Sequence, residues 1–499
     1  MSALAVDVGT SMIKSVVFDD DGTEVAVSRQ ATEVSRPHPG WAEQDMTAVW
    51  NAVVFTIRSV LPKVDDEIRF IAVTAQGDGC WLVDADGLPT GPAILWSDGR
   101  AASIVEAWRR DGVLDKTFRR NGSLTFPGLP NAILTWLAEH DPNRLERSAT
   151  ALYGGGWLFL RFTGERAVDE SDASAPFLDL GDRRYSGEIL SAFGLEWAQR
   201  LLPEVRGDRQ RAGELTAEAA AALGLPAGIP VVMAPYDIAS TALGVGATSP
   251  GQACTILGTT LCTEVVRDTV DTSGEPSGLT IALDSDGHVL RAFPTLAGAE
   301  VLAWAVNLLG LEHPRVLSVL AEESEPGARG LSLLPYLSPA GERAPFLDTH
   351  ARGTIWGLTV EHGRADIARA VLEGLTFVIK DCLEASGAQV TELRVCGGGA
   401  GNPMWCQLIA DIVGVPTVRS ADTEVGAKGA FLSALVATGA EAGLTAAAAR
   451  YVRVHASCGP DPRRLEFYAA RYQEFRDLRE VSRQGWLRQG EERRGKHDA

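Results

Sequence analysis

The chain has no excess of basic charge, no long apolar run and no clustered cysteines. Its 46 lysines and arginines are outnumbered by 65 aspartates and glutamates, giving a formal net charge of −19. Such a surface argues against a nucleic-acid or membrane-surface partner. Any phosphate ligand must therefore be held by local groups rather than by the global field. No apolar run approaches the roughly 18 residues of a membrane-spanning helix, and no basic-then-apolar leader opens the sequence. The cysteines (Cys80, Cys254, Cys262, Cys382, Cys396, Cys406 and Cys458) form no C-x-x-C pair. Neither a zinc site nor a disulfide framework is expected, and a reducing, cytoplasmic setting is. Three nucleotide fingerprints are also missing: the dinucleotide G-x-G-x-x-G, the P-loop G-x-x-x-x-G-K-[ST] and the protein-kinase H-R-D set.

What is present is alternation. The 499 residues exceed one hydrophobic core and suggest two domains of roughly 200–250 residues each. Strand-like and helix-like segments alternate throughout, as in Phe70–Gln76, the helix expected from about Ala101, and the buried strand Ile229–Ala234. This pattern implies an α/β fold. The opening stretch "LAVDVGTSMIKSVVFDDDG", Leu4–Gly22, reads as two antiparallel strands joined at Gly9, Thr10 and Ser11. It is either an ordinary hairpin or a phosphate loop, with Asp7 near a metal and Lys14 supplying charge. The design returns in "QACTILGTTLCTEVVRD", where Gly258, Thr259 and Thr260 echo the first turn. Two such hairpins, one near the start of each half, suggest a duplicated domain. The boundary falls near Gly244–Gly251, within "GVGATSPG". The Ala-rich stretches are expected to be helices, and the charged tail "RQGEERRGKHDA" to be frayed.

Further segments carry candidate chemistry. In "LRVCGGGAGNPMWCQLIADIVG" a strand opens through Gly397, Gly398 and Gly399 into a helix from about Pro403. That arrangement suits a nucleotide or is a tight strand-to-helix turn. Asp237, in "APYDIAS", follows a buried strand and precedes a helix of small residues. It suits a general base or a helix N-cap. Gln76 and Asp78 are short polar groups at a strand end, suited to adjacent hydroxyls or to a solvated loop. Trp81 and Trp96 offer apolar faces or core packing, and Asp98 a cap or a ligand.

Taken together, these pieces resemble the FGGY carbohydrate kinases of the actin/hexokinase/Hsp70 superfamily. The resemblance is most specific in "GTIWGLTVEHGRADIARAVLEGLTF": Gly353, Ile355, Gly357, Leu358, Asp366, Ile367, Ala370 and Glu373 follow the family's second signature. From the residues alone this is a strand, a loop and an amphipathic helix with no obvious chemistry. The earlier signature keeps Trp136–Leu137, but Ile133 stands where the family usually has Lys.

The resemblance implies two duplicated actin/hexokinase-like (ribonuclease H-like) domains around a central cleft, residues 1–244 for the sugar and 245–485 for ATP, with a charged tail at 486–499. It makes Gly9, Thr10 and Ser11 the first phosphate loop and Gly258, Thr259 and Thr260 the second. It also places Gly398, Gly399 and Asn402 at the adenosine, Asp7 on Mg²⁺ through water, and Asp237 as the catalytic base, one whose pKa need not be raised. Family members are often homodimers. The Gln76-Gly77-Asp78-Gly79 wording is most similar to erythritol-type polyol kinases, which points to a short alditol. "ILWSDGR" also looks xylulokinase-like and keeps a pentulose kinase as the alternative. An actin- or Hsp70-like ATP-driven binding protein is the alternative of another class.

Overall fold

The computed structural model describes residues 2–258 and 261–497. The chain divides into two compact units. The first comprises Met1–Pro250, Val266–Leu290 and Asp422–Arg453, and the second Gly251–Val265, Arg291–Ala421 and Val454–Ala499.

In the first unit the strand Ser2–Val8 is buried along its whole length. It pairs antiparallel with Met12–Phe18 across the expected hairpin and parallel with Ile68–Ala75. The sheet continues to Glu24–Ala31 on one side, and to Pro230–Met233 and Ala212–Glu214 on the other. Because successive side chains point to opposite faces, a strand covered on both sides is apolar at nearly every position, and Asp7 is the charged exception in Ser2–Val8. Leu4, Val6 and Val8 share a core with Val53 and Ile57 of the helix Met46–Val60. On the other side, Phe18 and Phe70 stack on Phe431 of the helix Val425–Ala437, with centroids 5.0 and 6.1 Å apart.

That helix crosses Asp237–Gly244 at very close range. A Cβ on Gly429 would lie 1.7 Å from the Ser240 carbonyl oxygen, and one on Gly244 would lie 1.8 Å from that of Val425. Only hydrogen fits at either position, so the small residues noted in this segment serve backbone approach.

The second unit repeats the pattern. Gln252–Leu257 pairs antiparallel with Leu261–Arg267 and parallel with Glu392–Cys396. Glu392–Cys396 in turn runs parallel with Thr417–Ser420, which is flanked by Val454–Cys458. In both units the hairpin's first strand also heads a run of parallel strands. The duplication expected from the two hairpins is therefore one of topology. The last helix, Pro462–His497, carries its backbone through most of the tail expected to fray. Among the described residues no helix is long and apolar enough to cross a membrane.

The second signature turns out to be structural. It forms a short strand, Thr354–Trp356, and the helix Arg364–Ala385. The buried Glu373 carboxylate accepts hydrogen bonds from Arg369 (2.9 Å), Tyr468 (3.0 Å) and the Gly327 N–H (2.9 Å). Asp366 accepts from Ser324 (2.6 Å) and from the Gly363 N–H (2.9 Å). Removing one partner of a buried pair leaves the other charge unpaired, which costs about 3 kcal/mol or more. Glu373→Ala is expected to lose that much in urea denaturation. A loss under about 1 kcal/mol would show that this clamp does not hold the unit together.

Candidate active site

The first hairpin loop is the hub of a polar network. Thr10 Oγ1 donates to Gln76 Oε1 (2.7 Å) and accepts from Trp96 Nε1 (2.9 Å). Gln76 Nε2 donates to Gln44 Oε1 (2.7 Å), and Gln44 Nε2 returns to the Thr10 carbonyl (2.7 Å). Thr10, Gln76 and Trp96 are thereby brought together, with Gln44 as a fourth member. The Gly9 N–H closes the hairpin onto the Met12 carbonyl at 3.0 Å, and Ser11 is exposed. Gln76 is buried, so it braces the phosphate-loop candidate rather than lying in a solvated loop.

Beside it lies an ion network. Lys14 Nζ is 3.0 Å from Glu424 and 3.5 Å from Asp7, and Arg29 also binds Glu424. Burial raises Asp7 above the usual carboxylate range, against the pull of Lys14. Burial would also raise Glu424, but Lys14 and Arg29 outweigh it and hold that carboxyl low. Lys14 itself is pushed up, because Asp7 and Glu424 outweigh its own desolvation. Its charge is thus already engaged. Glu424 immediately precedes the helix Val425–Ala437, and a Cβ on Gly426 in that helix would lie 2.9 Å from Asp7 Oδ2.

Asp237 is the first residue of its helix. The cap position belongs to Tyr236, whose side chain makes no cap hydrogen bond. The Asp237 carboxylate accepts from the Ile238 N–H at 2.8 Å, and the Gly77 N–H lies near enough to favour its charged form. Burial, with the nearby charges of Asp7 and Asp78, pushes it up to about 7. An unraised pKa was an adequate expectation for a loose transition state. The fold raises it nevertheless, first by burying the carboxyl and then by placing two further carboxylates in its surroundings. Asp78 sits at φ +56°, a left-handed conformation that costs a non-glycine residue on the order of 1 kcal/mol and is typical of functional loops. Gly77 is required here: a Cβ would lie 2.2 Å from the Tyr236 ring.

The surroundings of Asp237 contain groups that no local pattern announced. The Ser171 hydroxyl accepts the Tyr236 N–H at 3.0 Å. Next to it, Asp172 is 3% exposed. Burial and then the charges of Asp169, Asp78 and Asp237 push its carboxyl well above the usual range. Two other candidates take structural roles. Asp98 is buried, accepts the Ala42 N–H at 2.6 Å and pairs with Arg100 at 2.9 Å. Trp81 stacks on Trp157 in the core, with centroids 5.4 Å apart.

In the second unit, the Gly397–Gly399 turn packs on Leu257, directly before Gly258. Cβ atoms on Gly397 and Gly399 would come within 2.8 and 2.9 Å of that residue. Gly398 has open space above it. Asn402 caps the helix Pro403–Val413, accepting the Trp405 N–H at 3.3 Å. Thr259 and Thr260 lie outside the described residues.

Comparison with known proteins matches residues 2–244 to the N-terminal domain model of the FGGY family of carbohydrate kinases, and residues 253–438 to its C-terminal domain model. An erythritol kinase of Brucella abortus is 33% identical over 95% of each chain. A xylulose kinase of Escherichia coli is 32% identical over 95% of this chain and 98% of its own. Among solved structures, a xylulose kinase from Rhodospirillum rubrum superposes with a TM-score of 0.88 at 28% identity, covering 98% of this chain and all of the other.

Proposed function

Because the chain belongs to the FGGY family of carbohydrate kinases, we propose that it transfers the γ-phosphoryl group of ATP to a hydroxyl of a short alditol such as erythritol, with Asp237 as the base. A phosphotransferase with a sugar or polyol acceptor has no use for the filament or chaperone reading, which falls away. The observation that carries the role of Asp237 is its carboxylate, held by the Ile238 N–H at the start of a helix and raised to about 7. A base of that pKa accepts a hydroxyl proton near neutral pH.

Residues 1–244 bind the acceptor, residues 245–485 bind the nucleotide and residues 486–499 are a charged tail. Gly9, Thr10, Ser11 and Lys14 belong to the first phosphate loop, and Gly258, Thr259 and Thr260 to the second. Gly398, Gly399 and Asn402 lie at the adenosine, and the cytoplasm supplies the ATP. Asp7 is buried at the end of the strand that leads into the Gly9–Ser11 loop, and a single carboxylate there fits Mg²⁺, which usually keeps its waters and takes one or two carboxylates together with substrate phosphates. Asp7 is the carboxylate that would hold it, through water. When bound, the ion neutralises charge on the phosphates.

The alditol is supported by Asp78 in the Gln76–Gly79 loop and by similarity to the Brucella erythritol kinase. Nearly equal identity to the xylulose kinase keeps a pentulose as the second reading. The deciding experiment is an ADP-release screen with Mg·ATP against glycerol, erythritol, threitol, the pentitols and the ketopentoses. A dominant tetritol supports the alditol. A dominant ketopentose replaces it, and silence across the panel with ATP bound overturns both. In the same assay Asp78→Ala is expected to raise KM for the acceptor at least about tenfold and KM for ATP less than twofold. Equal effects would remove Asp78 from acceptor recognition.

A further inference from the structure

We propose that Asp172 is a further acceptor-binding residue, which with Asp78 recognises a hydroxyl other than the one phosphorylated. This rests on the assignment of the acceptor to Asp237 and Asp78.

Four observations converge on it. Asp172 is 3% exposed, and its Oδ1 has no hydrogen-bond partner among the described residues. A buried polar atom without a partner costs about 1–3 kcal/mol, so a native fold that keeps one invites an explanation in function. Second, the groups acting on Asp172 from the elements around it are the carboxylates of Asp169, Asp78 and Asp237, with the phenols of Tyr153 and Tyr185 also in its neighbourhood. Burial and neighbouring carboxylates favour the protonated form of a carboxyl, which is both donor and acceptor. That is the complement of an alcohol, and Asp78, whose charge is felt at Asp172, offers a second acceptor.

Third, Asp172 is mechanically tied to the base. Its neighbour Ser171 accepts the N–H of Tyr236, the residue directly before Asp237, at 3.0 Å, and the Tyr236 ring packs on Gly77, next to Asp78. Fourth, the helix Gly154–Thr163 opens with three glycines. A Cβ on Gly154 would lie 2.9 Å from the Gln76 carbonyl oxygen, so that residue is needed for packing. A Cβ on Gly155 would meet nothing within 4 Å except Asp172 Oδ2, at 3.3 Å. The missing side chain of Gly155 thus leaves Asp172 Oδ2 uncovered on that side.

The ligand chemistry is therefore a polyhydroxylated acceptor with a free hydroxyl beyond the reacting one. A simple monohydric alcohol would leave Asp172 unsatisfied. Two variants separate recognition from folding. Asp172→Ala removes the group, and Gly155→Ala adds one methyl over it. The second replaces a helical glycine of ordinary φ by the best helix former, and its one close contact is the end of the Asp172 side chain, so the protein is expected to fold. Both are expected to raise KM for the best acceptor of the screen five- to fiftyfold, with KM for ATP within twofold. Asp172→Asn, which keeps a donor and an acceptor, is expected to recover part of the loss. A Gly155→Ala enzyme with an unchanged acceptor KM overturns the proposal, whether or not Asp172→Ala folds. So does an equal rise in both KM values. If instead Asp237→Asn retains turnover, the assignment of the base fails, and that outcome is read independently of either variant.

Discussion

Replacing Asp237 with asparagine is expected to lower kcat by about 10³-fold while leaving ATP binding within a few-fold of wild type. General-base catalysis contributes typically 10²–10⁴, and the amide cannot take the acceptor's proton. Gly258, Gly398, Gly399 and Asn402, proposed for the nucleotide, belong to the second compact unit, whereas Asp237 belongs to the first. The measurements are single-turnover transfer and nucleotide titration on the same preparation. Retained transfer would remove Asp237 from the chemistry. Parallel loss of transfer and nucleotide binding would make it structural. The wild-type pH profile gives an independent reading. Asp237 must be ionised to act and is pushed up to about 7, so kcat/KM is expected to rise about tenfold per pH unit below that value and to level off above it. The charge of Asp78 contributes to the upward push. Asp78→Asn should therefore move the acid limb to lower pH, and a limb unmoved or shifted upward would contradict that coupling.

Gly429→Ala is expected to damage stability and turnover together. The added methyl would lie 1.7 Å from the Ser240 carbonyl oxygen, a backbone atom that cannot rotate away. One helix must move, at a cost of about 3 kcal/mol. Ser240 is three residues beyond Asp237 in the same short helix, and the moving helix carries Gly426 against Asp7. A displacement of about 1 Å at a reacting group costs on the order of 10²-fold in rate. Gly485→Ala, where nothing lies within 4 Å, is the control. A Gly429→Ala enzyme that melts with wild type would show that the crossing is looser than its geometry.

The parts legible in the sequence were those whose physics is local. A hairpin, a glycine turn into a helix and a carboxylate at a strand end each declare themselves within a dozen residues, and all three formed. Residue type alone could not separate Asp98 from Asp237. Both are carboxylates that follow a short buried strand, but one is consumed by the Ala42 N–H and Arg100 and the other stands with Asp7 and Asp78. Lys14 read as a free charge for phosphate because its partner Glu424 lies at the far end of the chain. Asp172 carried no pattern at all. Its significance depends on burial, on three acidic neighbours and on a glycine whose missing side chain matters only in three dimensions. The second signature was recognised but unexplained, since Glu373 acts through Tyr468 and Gly327, both outside it.

The return of Asp422–Arg453 to the first unit has a consequence for biogenesis. Phe18 and Phe70 are made early, yet Phe431, which stacks on both, emerges some four hundred residues later. During synthesis one face of the first sheet has to wait, uncovered, while the strands and helices of the second unit are translated. A ribosome stalled anywhere before the Val425–Ala437 helix leaves a nascent chain with an apolar sheet face exposed, a natural client for chaperones. For the same reason, scission at the boundary between the two family domains would not release an independent N-terminal half. Co-expressing the missing helix as a separate peptide is the more promising way to rescue one.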